Sequence, residues 1–222
     1  MNAKNNRGTQ RILVPDIPEE LPRAFRLPDG DEAEETLFEG LILSGEDLSG
    51  IDFRKCLLKG CDLSDTDLSG TGFTDCILEN CDLSSARMEN TAFIRTEIRN
   101  SRVTGADAIH AVFRHTVLET CKGEYLNIAG ASLQDTVFRG CVLPDLSLES
   151  DKLTSCYFTS CDLSSLSVHA TPLKGIDLRT CRLEGVRADL ASLSGLRVTP
   201  LQASLLAVLL GLDIREEETD EE

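Results

Sequence analysis

Carboxylates stand at regular intervals in the first half of the chain, where their spacing could serve chemistry. Each directly precedes a large apolar residue, and the set is Asp47, Asp52, Asp62, Asp67 and Asp82. Neighbouring carboxylates can act as an acid–base pair or bind a cation. Because these aspartates recur at one position of a regular pattern, we interpret them as features of that pattern. Their charge then predicts a surface that contacts a partner.

Nine cysteines offer two other kinds of chemistry, disulfide formation and metal binding. An odd number of cysteines, in a chain whose first residues lack a secretory signal, argues against structural disulfides. Pairs such as Cys56 and Cys61 could suggest a metal site, but histidine is scarce, with three in the chain. We therefore predict that the cysteines are small core residues.

The three histidines do not complete a catalytic motif. His110, His115 and His169 belong to no Ser-His-Asp or His-Glu-x-x-His set, and no glycine motif is placed to cradle a phosphate. We predict that the protein is not an enzyme and uses no cofactor, metal or small-molecule substrate.

A five-residue repeat in the sequence determines the structural elements that position these residues. From Phe38 to Val198 there are 33 centre positions in steps of five, and all but Ala108, Gly123 and Ala188 carry a large apolar residue. All nine cysteines lie two residues before a centre. Neither the helical period of 3.6 nor the strand period of 2 produces this spacing, so the pattern predicts a solenoid.

The units of the repeat resemble those of a known family. Cys-Asp-Leu-Ser-Asp at 61–65, Thr-Asp-Leu-Ser-Gly at 66–70 and Cys-Asp-Leu-Ser-Ser at 81–85 resemble the Ala/Cys-Asp/Asn-Leu-x-x units of the pentapeptide repeat family. The resemblance implies an all-β solenoid, a right-handed quadrilateral parallel β-helix with four pentapeptides to a coil. It covers residues 36–200, which gives about eight coils and a rod about 40 Å long.

Residues twenty apart should stack in such a fold, and the columns of the sequence agree with this. Phe53, Phe73, Phe93 and Phe113 fall in one column, and like-sized groups fill successive layers of a narrow interior without voids. Three positions depart from the pattern. Gly123 leaves a centre without a side chain, so that either Tyr125 folds in or the rod bends, and we expect Glu46 and Asp151, at inward positions, to turn outward.

The segment before the repeats, residues 1–35, is a non-repeating arm. Its apolar residues between Ile12 and Leu27 are too many for a purely disordered tail. A stacked line of outward apolar residues offers it a landing site: Leu57, Ile77, Val117, Val137 and Tyr157. We hypothesise that the arm docks there, with β-propensity alone as the alternative explanation of the line. No apolar run is long enough to span a membrane, and we expect a cytoplasmic protein.

Residues 201–222 follow a different period. Thr199, Pro200 and Gln202 form a capping-box pattern that predicts a helix, and an acidic tail follows it. The apolar stripe of this helix is Leu201, Leu205, Val208, Leu209 and Leu212. The segment resembles the C-terminal dimerisation segment of the Qnr and MfpA subgroup of the family. The resemblance implies a homodimer joined through these helices.

The charge of the chain limits the kinds of molecule that it is expected to bind. The net charge is −16, and residues 36–90 hold four basic and eleven acidic groups. No basic footprint for nucleic acid is present, whereas a rigid, negative rod has the outline and charge sign of DNA. The resembled subgroup binds bacterial DNA gyrase or topoisomerase IV and protects it from quinolones or natural-product poisons, and we expect the same here. The alternative is a scaffold that binds a partner through the apolar line.

Overall fold

The computed structural model describes residues 12–212 and 214–215, which form a parallel β-solenoid of about 8 turns with one short helix. Most strands are three residues long. In chain order they are β1 (Arg23–Ala24), β2 (Glu32–Glu34), β3 (Leu37–Glu39), β4 (Asp52–Arg54), β5 (Leu57–Lys59), β6 (Gly72–Thr74), β7 (Ile77–Glu79), β8 (Ala92–Ile94), β9 (Glu97–Arg99), β10 (Val112–Arg114), β11 (Val117–Glu119), β12 (Ser132–Arg139), β13 (Ser147–Glu149), β14 (Lys152–Thr159), β15 (Ser167–His169) and β16 (Arg187–Ala188).

Every coil advances the chain by twenty residues and adds one layer to each of four faces. Face 1 contains Phe38 and every twentieth residue after it, and faces 2, 3 and 4 start likewise from Leu43, Leu48 and Phe53. The register shows this directly, since β3 pairs in parallel with β5 and β4 with β6, each at a spacing of twenty. The predicted fold class and stacking are therefore confirmed.

The core is a narrow column of apolar side chains. The rings of Phe53, Phe73, Phe93 and Phe113 stack nearly parallel, with centroids 5.0 to 5.3 Å apart. Residues two positions before a centre fill the remaining space in the core. Their thiol or hydroxyl groups donate hydrogen bonds to backbone carbonyls of the preceding coil. The Cys76 thiol donates to the Phe53 carbonyl at 3.3 Å, and the Thr71 hydroxyl to the Leu48 carbonyl at 2.9 Å. All nine cysteines are free and buried, which confirms them as core residues.

The chain turns almost every corner with a left-handed residue two positions after the centre. Asp65 has φ 56°, Asn80 has φ 56° and Gly105 has φ 64°. Glycine reaches this region without strain, and Asn and Asp tolerate it better than other residues. The repeated need for this backbone conformation explains why small polar residues and glycine recur at the corners.

The described part of the arm lies against the first coils. Strand β1 pairs in parallel with β3, and the Leu37 amide donates to the Pro22 carbonyl at 2.9 Å. Further towards its start, the Asp16 amide donates to Asp75 Oδ1 at 3.1 Å. The arm therefore covers the edge of β3, and its earlier residues lie beside later coils. Residues 1–11 lie outside the described residues.

The other end of the solenoid is closed by helix α1 (Pro200–Ala207), which continues as a 3-10 turn over Val208–Leu210. Thr199 caps the helix and exchanges hydrogen bonds with Gln202, as the sequence predicts. The buried Gln202 amide also donates to the carbonyls of Leu178 and Cys181 at 2.8 and 2.7 Å. No helix in the described part of the chain has the length and apolar character to cross a membrane.

The irregular positions behave differently from one another. Glu46 is exposed, as expected. At Gly123 an added Cβ would lie 2.4 Å from Val103 Cγ2, so Val103 fills this layer, and Tyr125 stays 64% exposed rather than folding in. For Asp151 the expectation was wrong, because its side chain points inward and the residue is 4% exposed. The amide of Ala131 binds one carboxylate oxygen at 2.7 Å, which holds it inside.

Candidate partner-binding surface

The predicted aspartates are spread over three faces at the start of the solenoid. Asp62 and Asp82 lie on face 2, Asp47 and Asp67 on face 3, and Asp52 on face 4. Parallel bridges join Asp62 to Asp82 and Asp47 to Asp67. Because layers of a parallel ladder are about 4.8 Å apart, each bridge stacks two carboxylates of like charge.

A local hydrogen bond explains why aspartate recurs at this position. Oδ1 of Asp62 accepts the Ser64 amide at 3.0 Å and the Ser64 hydroxyl at 2.6 Å. The amide of the residue two positions on is bound in the same way by Asp47, Asp67, Asp82 and Asp162. This turn is a structural role of the aspartate side chain. The hydrogen bonds from Ser49, Ser64 and Ser69 lower the pKa values of Asp47, Asp62 and Asp67, so these groups are ionised at neutral pH.

Many carboxylates of the solenoid are paired with a base twenty residues later, one coil further along. Asp67 binds Arg87 at 2.6 Å, and Asp82 binds Arg102 at 3.1 Å. Further pairs at this spacing are Glu35 with Lys55, Asp75 with Arg95, Glu119 with Arg139 and Asp162 with Arg182. The arginines of the later coils thus neutralise some acids of the coils before them.

This pairing divides the five predicted aspartates into two groups. Asp67 and Asp82 face arginines of the next coil, and Asp52 lies 3.4 Å from Arg54 of its own strand. Asp47 and Asp62 make no ion pair with any described residue. Their charge therefore remains available to a partner.

Two further carboxylates extend this unpaired group, and the sequence analysis missed both as site residues. Glu46 and Asp65 are exposed and have no ion pair within the described ranges. The Asp67 amide donates to the Glu46 carbonyl at 3.0 Å, which places Glu46 one layer below the turn that contains Asp65. We call Glu46, Asp47, Asp62 and Asp65 the acidic cluster, and it surrounds the corner between faces 2 and 3. A search for acids that lack a base twenty residues later returns all four, together with others such as Asp107 and Glu124.

The apolar line on face 1 is mostly covered. Leu57, Ile77 and Val117 are half-buried and Val137 is buried, whereas Tyr157 remains 40% exposed. The line is interrupted by Glu97, which is buried and ion-paired with Arg99. The arm lies beside the first part of the line, as its bond to Asp75 shows.

A column of charged corner residues runs beside this apolar line, and the sequence analysis did not identify it. Glu35, Lys55, Asp75, Arg95, His115 and Asp135 occupy successive layers of the corner between faces 4 and 1. Asp75 accepts two hydrogen bonds from Arg95, at 2.7 and 2.5 Å, besides the Asp16 amide. Burial acts to raise the pKa of Asp75, but these hydrogen bonds outweigh it and the net shift is downward.

The predicted stripe on the C-terminal helix lies largely in solvent. Leu201 is 76% exposed, and Leu205, Val208 and Leu212 are also exposed, while Leu209 is half-buried. Gln202 faces the last coil instead. The helix therefore uses one side to close the solenoid and presents leucines on the other.

No group of three or more His, Cys, Asp or Glu side chains among the described residues could hold a metal ion. Burial raises the pKa of the Cys156 thiol to about 12, so it is protonated at neutral pH. A groove of about 600 Å³ lies on face 1 near the C-terminal end, between Tyr157 and Arg197. Its Arg179 guanidinium is bound to Asp177 at 2.7 Å.

Part of the repeat region matches a known family model, and some solved structures are similar to the chain. Residues 51–128 match the family model of the pentapeptide repeat region. No protein of curated function matches the sequence significantly. Full-length QnrB1, a plasmid-mediated fluoroquinolone resistance protein, is 20% identical over 79% of this chain and 100% of its own, with a TM-score of 0.34. HetL, a pentapeptide repeat protein involved in heterocyst differentiation regulation from the cyanobacterium Nostoc, is 24% identical over 75% of this chain and 86% of its own, with a TM-score of 0.35.

Proposed function

We propose that this chain, which is a pentapeptide-repeat protein, binds a bacterial type II topoisomerase as a DNA mimic and protects it from quinolones or other gyrase poisons. The partner is DNA gyrase or topoisomerase IV, in the cytoplasm, and the protein performs no catalysis itself. The observation that supports this most strongly is the acidic cluster, whose four carboxylates have no cationic partner among the described residues.

The charge density of the cluster is similar to that of DNA. Four unpaired charges lie within two coils, which is about 10 Å of the rod axis, or roughly one charge per 2.4 Å. A DNA duplex carries one charge per about 1.7 Å of its axis, counting both strands. A protein groove lined with Lys and Arg for DNA would be attracted to this rod by complementary potential.

The sequence supports the same partner independently. The Cys-Asp-Leu and Thr-Asp-Leu units resemble the pentapeptide repeat family as a whole, and the C-terminal segment resembles that of the Qnr and MfpA subgroup, whose members bind topoisomerases. We further propose that two chains join through the exposed leucines of α1. Substituting Leu201 and Leu205 with Glu is then expected to give a monomer in sedimentation analysis, whereas an unchanged dimer would place the interface elsewhere.

The proposed function is tested by gyrase supercoiling and DNA-cleavage assays with purified protein titrated in. We expect inhibition of supercoiling that weakens as salt is added, and fewer cleavage complexes in the presence of a quinolone. No effect on either gyrase or topoisomerase IV over a wide concentration range would overturn the proposal. The scaffold function, with a partner on the exposed part of the apolar line around Tyr157, would then be favoured.

A further inference from the structure

We propose that face 1 holds a binding site for an extended acidic peptide, at a break in its β-ladder between Tyr157 and Asp177. The peptide would add a strand to the open edge of β14 and place a carboxylate on Arg197. This site lies far along the rod from the acidic cluster, so the proposal stands whether or not a topoisomerase is the partner.

The ladder of face 1 is interrupted between these two layers. Strand β14 pairs with β12 on one side, and beyond the break Asp177 pairs with Arg197. Between Tyr157 and Asp177, which both lie in the described part of the chain, there is neither a bridge nor a backbone hydrogen bond. Face 2 continues at the same level through the bridge from Asp162 to Arg182, and face 3 through the pairing of β15 with β16. The last coils are therefore held on faces 2 and 3 and open on face 1.

A proline interrupts the preceding face at the same level. In the layer before, the Lys152 amide donates to the Ala131 carbonyl at 2.9 Å. Pro172 occupies the equivalent position one layer later and has no amide hydrogen to donate. Leu153, the centre on this face, is only half-buried, although the centres of the two neighbouring layers are buried. The separation of the layers thus extends around the corner from face 4 to face 1.

The break leaves backbone groups that could bind a strand. In the register of the earlier layers, the Phe158 amide would donate to the Asp177 carbonyl, and the Asp177 amide to the Cys156 carbonyl. Neither amide has a hydrogen-bond partner among the described residues. At the end of the same edge, the Ser160 amide donates to the Thr180 hydroxyl at 3.1 Å rather than to a backbone carbonyl. An edge of unpaired amides and carbonyls is the surface to which an extended peptide adds as a strand.

The groove at the break has the size and charge for an acidic peptide. Its volume of about 600 Å³ lies within the range of about 300–1,000 Å³ that is usual for ligand sites. Tyr157, 40% exposed, forms part of its wall. Asp177 binds the Arg179 guanidinium through two hydrogen bonds, of 2.9 and 2.7 Å. Arg197 also lines the groove but makes no ion pair with any described residue. A guanidinium without a partner favours a carboxylate, which it can bind through two hydrogen bonds.

Equilibrium binding of a labelled Val-Glu-Val-Glu-Val peptide, blocked at both ends, tests the site on the full chain. We expect saturable binding that weakens about 10-fold or more when the peptide's amides are N-methylated, because strand addition uses main-chain hydrogen bonds. Arg197→Gln should weaken binding several-fold, since it removes the partner of the carboxylate. Arg114→Gln is the matched control, because Arg114 is exposed on face 4 and also makes no ion pair within the described ranges. It should leave binding unchanged.

Hydrogen exchange reports on the edge itself. In the free protein, the amides of Phe158 and Asp177 should exchange about 10-fold or more faster than that of Leu163, because unpaired amides need no local opening. The Leu163 amide lies at the same level on face 2 and donates to the Arg182 carbonyl at 3.0 Å. Saturating peptide should slow the exchange of Phe158 and Asp177 and leave that of Leu163 unchanged.

Four outcomes would overturn the proposal. Slow exchange of Phe158 and Asp177 in the free protein at every concentration would mean that the ladder is closed in solution. Slow exchange that becomes fast on dilution would assign the edge to a second copy of the chain. The other two are an absence of peptide binding, and binding that neither N-methylation nor Arg197→Gln weakens.

Discussion

Asp151 places a carboxylate inside the solenoid, at a position that other layers fill with small side chains. Ala131 and Thr171 stand in the neighbouring layers of this column. One oxygen of Asp151 accepts the Ala131 amide, and the other has no partner. Burial, the largest effect, raises the pKa of Asp151 from 3.8 to about 7. Since the folded state holds the proton more tightly than the unfolded chain, stability falls as the pH rises from about 4 to about 7.

Replacing the Asp151 carboxylate should remove this pH-dependent loss of stability. We expect Asp151→Thr, which copies Thr171, to be more stable than the unchanged chain at pH 8, by up to about 4 kcal/mol. The difference should shrink towards pH 4, where Asp151 is protonated in both states. Urea unfolding at the two pH values measures it, with Asp65→Asn as an exposed control. A difference that is the same at both pH values would contradict this account.

The arginines of the later coils form ion pairs with some of the acidic residues, and only the remaining acids carry a charge that a partner could bind. Arg87 and Arg102 pair with Asp67 and Asp82, yet their side chains are about two-thirds exposed. Exposed pairs of this kind stabilise proteins by about 1 kcal/mol or less each. Their removal should therefore change the charge of the surface far more than the stability.

The double substitution Arg87→Gln and Arg102→Gln is accordingly expected to extend the acidic cluster by two free carboxylates. Affinity for the proposed topoisomerase partner should rise several-fold at low salt, because the negative potential increases, while the unfolding midpoint changes little. Equilibrium binding measures the first and thermal unfolding the second. Arg182→Gln, which frees Asp162 far from the cluster, is the matched control. A fall in affinity would mean that these arginines themselves contact the partner.

Among the elements, helix α1 is held to the last coil by hydrogen bonds from Gln202. Its side chain satisfies two carbonyls of the last coil and the Thr199 amide. Gln202→Ala would leave these groups unpaired, at a cost of about 2–4 kcal/mol. Urea unfolding should show this loss, whereas Ser204→Ala on the exposed side of the helix should have little effect. An unaffected Gln202→Ala variant would show that the cap does not limit stability.

The sequence predicts some of these elements better than others. The five-residue spacing determines the register, so the phenylalanine stack and the capping box at Thr199 follow from residue types alone. The inward position of the Asp151 side chain could not be predicted from residue types, because it depends on a single hydrogen bond from the Ala131 amide. Whether an aspartate is ion-paired also depends on the residue twenty positions later, which lies in the next layer. This pairing can be predicted only when the sequence is aligned in rows of twenty residues.

For the whole molecule, we propose that the unpaired carboxylates of the acidic cluster make the rod resemble DNA to a topoisomerase. The direct measurement is the affinity of the protein for DNA gyrase as a function of salt, with duplex DNA as competitor. The test variant combines Glu46→Gln, Asp47→Asn, Asp62→Asn and Asp65→Asn. Asp162→Asn is its control, since Asp162 has the same hydrogen bond to a serine amide but is paired with Arg182.

We expect the affinity of the unchanged protein to fall steeply with salt and DNA to displace it. The fourfold variant should bind about tenfold more weakly with a shallower salt dependence, because four charges have been removed, and Asp162→Asn should bind normally. Binding that is independent of salt, insensitive to DNA and equal in all three proteins would contradict the claim.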